Sequence, residues 1–354
     1  MKIAQIAPLW EAVPPRLYGG TERVVSHLTE ALVEQGHEVT LFAAGGSKTA
    51  ARLVATRSRP LRLDPNVLSS ELASHLALLH EVRMHSDEFD VMHFHTDMLH
   101  FPIFEAMASR TLTTLHGRLD VADLRPVYAR WPQFPLASIS DHQRTYLPAA
   151  NWHRTVHHGI SPLGYRFNAR GEGDYLAFLG RISPEKRPDR AIEIAKASGV
   201  PIRLAAKVDN VDREYFEQCI RPLLDHPLVD FIGEIGDDRK GEFLGHARAL
   251  LFPIDWPEPF GLVMIEALAC GTPVIAWSCG SVPEVIEHGR TGWIVDNVPD
   301  AVAAVDAVRQ LSREQIRARF EDHYTADAMA TRYVRVYEQL CADGSEALLE
   351  SEVA

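Results

Sequence analysis

The chain has 354 residues, 46% hydrophobic and 24% charged, with a net charge of −12. That is the composition of a soluble globular protein with apolar surface for two domain cores, and it excludes disordered, collagen-like and disulfide-scaffold classes. No apolar run approaches the roughly 18–20 residues of a membrane span, and the overall acidity argues against nucleic-acid binding, which needs a basic footprint.

The N-terminal KIAQIAP reads as a strand with no signal-peptide core behind it. TERVVSHLTEALVEQG follows as a helix, its apolar stripe carried by Val24, Val25, Leu28, Ala31 and Leu32, with Gly36 as its stop. HEVTLFAA, FDVMHFH and RTLTTLHG are further strands, and PLASIS and RTVHHGI continue the alternation. After a loop-like stretch, SPLGYRFNARGEGD, the pattern restarts: strand DYLAFLG, helix RPDRAIEIAKASG, strand VPIRLAA, helix YFEQCIRPLLD, then strands VDFIGEI, ARALLFPI, TPVIAWS and TGWIVD, with the helix GLVMIEALACG among them. Strand and helix in alternation mean parallel sheets covered by helices. We therefore expect two similar α/β domains, residues 1–168 and 169–326, and a C-terminal segment 327–354. In that segment Met329, Tyr333, Val336, Tyr337 and Leu340 form one helical stripe, which either crosses back to the first domain or caps the second. The four cysteines, Cys219, Cys270, Cys279 and Cys341, form no C-x-x-C pair, so a reducing, cytoplasmic setting is expected.

Three segments carry chemistry. Gly19 and Gly20 in Leu17-Tyr18-Gly19-Gly20-Thr21 stand between a strand and a helix, where small residues let backbone N–H groups face an anion. The pattern is neither G-x-G-x-x-G nor a Walker loop, and a purely structural glycine pair is the plainer alternative. Arg181 and Lys186 in Gly180-Arg181-Ile182-Ser183-Pro184-Glu185-Lys186-Arg187 lie at a strand's C-terminal end, where two cations converge on a phosphate or form a solvated loop. The third segment runs from Glu258 to Glu266. Glu258 sits in the Pro-rich loop Trp256-Pro257-Glu258-Pro259 and is expected at the rim. Glu266 lies in an apolar helix and needs a partner, either ribose hydroxyls or a salt bridge within the fold.

EPFGLVMIEALACGTPVIAWSCGSVPEVIEHGRTGWIV, with FLGRISPEKRPD and LYGGTE, resembles a retaining nucleotide-sugar glycosyltransferase of family 4 with the GT-B fold. The resemblance covers nearly the whole chain and is most specific over 252–296. It implies two Rossmann-like, doubly wound domains facing a cleft, with the C-terminal helix crossing back to the first. It further implies that the backbone of Gly19 and Gly20 faces the donor's distal phosphate, that Arg181 and Lys186 hold the diphosphate, and that Glu258 binds sugar hydroxyls. The N–H groups of Phe260, Gly261 and Leu262 would lie near sugar and phosphate, and Glu266 would take the ribose. Gly233, Glu234 and Ile235 would meet the base, largely through backbone, and His116 would approach the transferred sugar. Many relatives carry a glycine-rich turn where this chain has Ala205-Ala206-Lys207-Val208-Asp209; Lys207 either adds charge to the donor cleft or is a surface lysine.

The implied reaction moves a sugar, UDP-linked by expectation, to an acceptor hydroxyl with retention, by same-face attack in which the departing phosphate oxygen takes the acceptor's proton. Arg181, Lys186 and helix-start N–H groups stabilise the charge growing on the leaving group. Two cations and the lack of an Asp-x-Asp motif argue that no metal is required, and no cofactor beyond the sugar-nucleotide substrate is expected. Domain closure would exclude water. The acceptor is a lipid, a glycan or a small metabolite, and weak peripheral membrane contact is compatible with a near-neutral front half, residues 1–165 holding 15 Lys/Arg against 16 Asp/Glu.

Six histidines lie between His75 and His100. His93 and His95 share a strand face and suggest a metal pair, but without neighbouring cysteines or H-E-x-x-H the plainer reading is surface and pocket-lining histidine. Asp97 is a candidate acceptor contact, and Trp256 and Trp277 read as packing. Two other functions compete: a nucleotide-sugar epimerase on the same fold, betrayed by a free inverted sugar, and a non-catalytic nucleotide-sugar-binding protein. The set Arg181, Lys186, Glu258 and Glu266 speaks against both.

Overall fold

A computed structural model describes residues 1–353 except 17–18, 66–69 and 172, with side chains as far as Asp343. The chain forms two compact units, Met1–Gly159 together with the chain from Ala326 on, and Ile160–Thr325. The segment 160–168, expected in the first domain, belongs to the second unit: Ile160 bridges Thr325, and the Tyr165 hydroxyl bonds Glu266.

In chain order the first unit contains β1 (Lys2–Ile6), α1 (Gly20–Glu34), β2 (Glu38–Ala44), β3 (Arg52–Arg57), α2 (Glu71–Met84), β4 (Val91–Phe94), β5 (Thr111–Thr114), β6 (Leu136–Ser138) and β7 (Trp152–Thr155). The second contains β8 (Leu176–Arg181), α3 (Pro188–Ser198), β9 (Ile202–Lys207), β10 (Val229–Phe231), α4 (Asp237–Gly245) and β11 (Ala249–Phe252). It continues through α5 (Leu262–Ala269), β12 (Val274–Trp277), β13 (Gly292–Val295), α6 (Val298–Ala307) and α7 (Arg313–His323). The last element, α8 (Ala326–Val353), belongs to the first unit.

The first sheet runs β3-β2-β1-β4-β5-β6-β7 and the second β10-β9-β8-β11-β12-β13. Every pairing is parallel. In each sheet the chain winds outward on one side and then returns to the other, so the order switches between β1 and β4 and between β8 and β11. Ligands of such sheets sit at the C-terminal strand ends beside that switch. Central strands buried on both faces explain the near-continuous apolar runs of β2, β4, β11 and β12. β3, Arg-Leu-Val-Ala-Thr-Arg, is an edge strand that the sequence pattern does not reveal, because its charged ends and exposed residues break the apolar run.

α1 buries Val24, Val25, Leu28, Ala31 and Leu32 and stops before Gly36, whose φ of 85° suits glycine. Strand alternation sends Ala4, Ile6, Met92 and Phe94 into the first unit's core and Gln5 and His93 to the opposite face. That polar face lies under α8: Tyr337 bonds Gln5 and His93, and Tyr333 bonds Thr114. The helical stripe therefore packs on the first unit's sheet, with both tyrosines buried. Burial of each such ring contributes roughly 1.5–3 kcal/mol. In the second unit, Arg313 of α7 donates to the carbonyls of Asn168 at 2.7 Å, Gly245 at 2.8 Å and Ala247 at 3.1 Å.

Candidate functional site

Arg181 is the last residue of β8 and stands in register with Lys207, the last residue of β9. Its guanidinium is enclosed by carboxylates: it pairs with Glu185, lies 3.4 Å from Asp212 Oδ2 and 4.0 Å from Asp209 Oδ2. Lys207 Nζ pairs with Asp209 Oδ1 at 2.7 Å, which draws both cations onto one acidic group. Burial raises the Asp212 carboxyl above its usual range, against the opposing pull of Arg181.

Lys186 follows the same strand, in a short turn (Pro184–Lys186) that leads into α3. Its ammonium pairs with Glu258 Oε2, beyond the end of β11, so the two flanks of the switch point are joined by one ion pair. The ammonium lies 5.0 Å from the Trp256 ring centre and 5.7 Å from that of Phe252, and the Trp256 indole N–H donates to the same Glu258 oxygen at 3.1 Å. Expected at a rim, Glu258 is instead buried, and Gly280 packs on its backbone. Trp256 is thus part of this group, whereas Trp277 is core packing beneath Arg190.

Gly261, at φ 79°, turns the loop into α5 with Phe260 buried behind it, so the N–H groups of Gly261 and Leu262 open the helix. One turn further on, Glu266 is buried. Its Oε1 accepts from the Tyr165 hydroxyl at 2.9 Å and from Lys240 Nζ of α4 at 2.9 Å. The carboxylate is therefore paired within the unit, and its burial alone does not point to ribose. Gly233, Glu234 and Ile235 lie beyond the end of β10 rather than in a strand; Gly233 adopts φ 72° and its carbonyl accepts from the Ala206 N–H at 3.0 Å.

In the first unit Gly19 caps α1 and Gly20 begins it, after β1; the neighbouring Leu17 and Tyr18 lie outside the described residues. A side chain at Gly19 would meet Pro15 Cβ at 2.8 Å, so close packing requires the missing Cβ. His116 follows β5. Its Nε2 lies 2.8 Å from His95 Nδ1, its ring stacks on His158 at 5.1 Å, and burial pushes its pKa down to about 3. Its buried Nδ1 has no hydrogen-bond partner among the described residues. Asp97, after β4, holds a left-handed φ of 49° and is exposed. Of the histidines read as surface or pocket-lining, His75, His93, His95 and His100 are buried; His93 lies on the central strand β4 beneath Tyr337 of α8. Among the described residues no three His, Cys, Asp or Glu side chains are arranged to hold a metal ion. Sequence reading did not foresee Tyr165, Lys240, Asp209 or Gln5, whose roles depend on distant partners.

Comparison with known proteins accords with this architecture. A family model described as Glycosyltransferase Family 4 matches residues 18–160, and one described as Glycosyl transferases group 1 matches residues 166–325. An uncharacterized glycosyltransferase of Methanocaldococcus jannaschii is 25% identical over 96% of this chain and 98% of its own length. A phosphatidyl-myo-inositol mannosyltransferase of Mycobacterium leprae is 24% identical over 99% of this chain and 100% of its own. A D-inositol 3-phosphate glycosyltransferase of Jonesia denitrificans is 31% identical over 62% and 53%. Among solved structures, AviGT4, a glycosyltransferase involved in avilamycin A biosynthesis, superposes with a TM-score of 0.72 at 26% identity, covering 96% of this chain and 98% of that one.

Proposed function

The chain belongs to the family 4 glycosyltransferases of the GT-B fold, and from that premise we propose that it transfers a sugar from UDP to an acceptor hydroxyl, with retention and without a metal. The observation that carries this reading is the cation pair at the second unit's switch point: Arg181 at the end of β8, and Lys186 bound to Glu258 beyond β11. A diphosphate arriving there exchanges Glu185 and Glu258 for phosphate oxygens on two preformed cations. Charge that grows on the leaving oxygen is then met without reorganisation, the condition under which electrostatic stabilisation is strongest. Glu258, released from Lys186, is free to accept from sugar hydroxyls. No carboxylate in this arrangement is assigned as nucleophile, so the departing phosphate oxygen takes the acceptor's proton on the face it leaves. The second unit is assigned the donor, with Glu266 on the ribose and Gly233–Ile235 at the base. The first is assigned the acceptor, Gly19 and Gly20, and His116.

UDP is chosen as the commonest donor nucleotide of such enzymes. The names of the two inositol-linked relatives favour a cyclitol phosphate, free or lipid-borne, as acceptor. Among the described residues no helix is long and apolar enough to cross a membrane. The test is thermal unfolding against UDP-, GDP- and ADP-sugars, followed by mass spectrometry and anomeric NMR of the product formed with inositol phosphate and phosphatidylinositol. A donor held at 100 times its Kd raises stability by about 2.7 kcal/mol. Stabilisation by UDP-sugar alone, a retained anomer and turnover in EDTA are expected; preference for another base, inversion, or loss of turnover in EDTA would each remove the corresponding part of the proposal.

A further inference from the structure

Beneath α8 the first unit holds a continuous chain of buried polar groups. His116 Nε2 lies 2.8 Å from His95 Nδ1, and His95 Nε2 lies 2.8 Å from Gln5 Oε1. Gln5 Nε2 donates to the Tyr337 hydroxyl at 3.1 Å, and that hydroxyl lies 2.7 Å from His93 Nδ1. His93 Nε2 then reaches Thr114 Oγ1 at 2.7 Å, which meets the Tyr333 hydroxyl at 2.9 Å. The residues come from three adjacent strands or the loops that follow them, and from one helix, all within the first unit.

The chain has a direction. The Gln5 carbonyl only accepts, so His95 Nε2 carries a proton. Burial holds His95 well below the usual histidine range, so the ring is neutral and its Nδ1 is a lone pair. His116 Nε2 must then donate to it. Tyr337, accepting from Gln5, donates its own proton to His93 Nδ1, and His93 Nε2 donates to Thr114. With the Gln5 amide in this orientation every link of the chain is satisfied, and the Tyr337 oxygen holds the NH₂ end.

We infer that Gln5 and His95 are positioning residues that fix His116 as its Nε2–H tautomer, so that the unpartnered Nδ1 presents a lone pair to a hydroxyl of the bound sugar. The inference rests on the assignment of His116 to the transferred sugar, and it extends that site to α8 through Tyr337. His158, stacked on the His116 ring with planes 18° apart, restrains the ring rotation that would undo the assignment. An Nδ1 buried without a partner is costly in the free protein, and a donated hydroxyl removes that cost.

The test uses the full chain labelled with ¹⁵N-histidine. Two-bond ¹H–¹⁵N correlation reads the protonated nitrogen of each ring, and His116→Gln identifies the His116 signals. The expected result is a proton on Nε2 in the parent chain, and a mixture of both tautomers in Gln5→Met. Tyr337→Phe, which releases the Gln5 NH₂, is expected to give the same mixture and serves as the second arm if Gln5→Met does not fold. Both folded variants should lose about tenfold or more in kcat, with donor KM within about twofold of the parent. A proton on Nδ1 in the parent, or an unchanged single tautomer in a folded variant, overturns the inference. The spectra need no substrate, so failure to transfer sugar from a chain with the expected tautomer counts against the proposed reaction and leaves the tautomer assignment standing.

Discussion

Lys186 and Glu258, 72 residues apart in the chain, meet as an ion pair that closes the switch point of the second sheet, with the Trp256 indole on the same carboxylate oxygen. In the proposed reaction a phosphate oxygen takes the place of Glu258 on Lys186, and a sugar hydroxyl the place of Lys186 on Glu258.

Lys186→Met should therefore act twice. Transfer should fall by about 10²–10³-fold, the loss seen when one preorganised donor to a developing anion is removed. Stability should also fall by about 1–3 kcal/mol, because buried Glu258 loses its cation and keeps the weaker indole N–H. Initial rates and urea unfolding separate the two effects. Unchanged turnover in a folded variant would remove Lys186 from the mechanism.

Gly280 tests the same carboxylate from behind. It holds φ 60°, and a Cβ there would lie 2.4 Å from the Glu258 carbonyl oxygen and 2.5 Å from its nitrogen. Backbone cannot yield as a flexible side chain does, so Gly280→Ala must shift the Glu258 loop. We expect transfer to drop by about tenfold or more while the second unit stays folded, since a displacement of about 1 Å costs up to 10²-fold. Rates together with circular dichroism check this; parent-like kinetics would mean that the Glu258 loop tolerates displacement.

Glu266 separates stability from donor binding. Tyr165→Phe removes one charge-assisted hydrogen bond to the buried carboxylate and should cost about 2 kcal/mol. Lys240→Met should cost more, about 3 kcal/mol, because the buried carboxylate loses the cation that offsets its desolvation. A double-mutant cycle in urea should show coupling between the two, since both donors share Oε1. Strict additivity would mean that the carboxylate does not link them.

The extent to which the sequence announces all this follows from how local each signal is. Alternating strands and helices are readable because both sheets are parallel and their central strands are apolar throughout, whereas β3 escapes notice because an edge strand can carry Arg52 and Arg57 at its ends. Arg181, Lys186 and Glu258 lie in compact motifs, so their candidacy is legible, but the pairing of Lys186 with Glu258 is not, because it depends on β8 and β11 being neighbours. The partners of Glu266 lie 101 and 26 residues away, and Gln5 stands 332 residues from Tyr337. Nothing local marks a glutamine in an apolar strand as one end of a buried chain that reaches His116.

Stability should fall on acidification below about pH 6.5, and the buried histidines supply the reason. Burial holds His93, His95, His100 and His158 well below 6.5, and His116 at about 3. Below 6.5 the unfolded chain therefore binds protons that the native state refuses, so their contribution is complete above 6.5 and is lost as pH falls. Unfolding free energies from urea titrations at pH 7, 6 and 5 should decline steadily. A parent profile that is flat or rises from pH 6.5 to 5 would show that these rings are solvated in the native state.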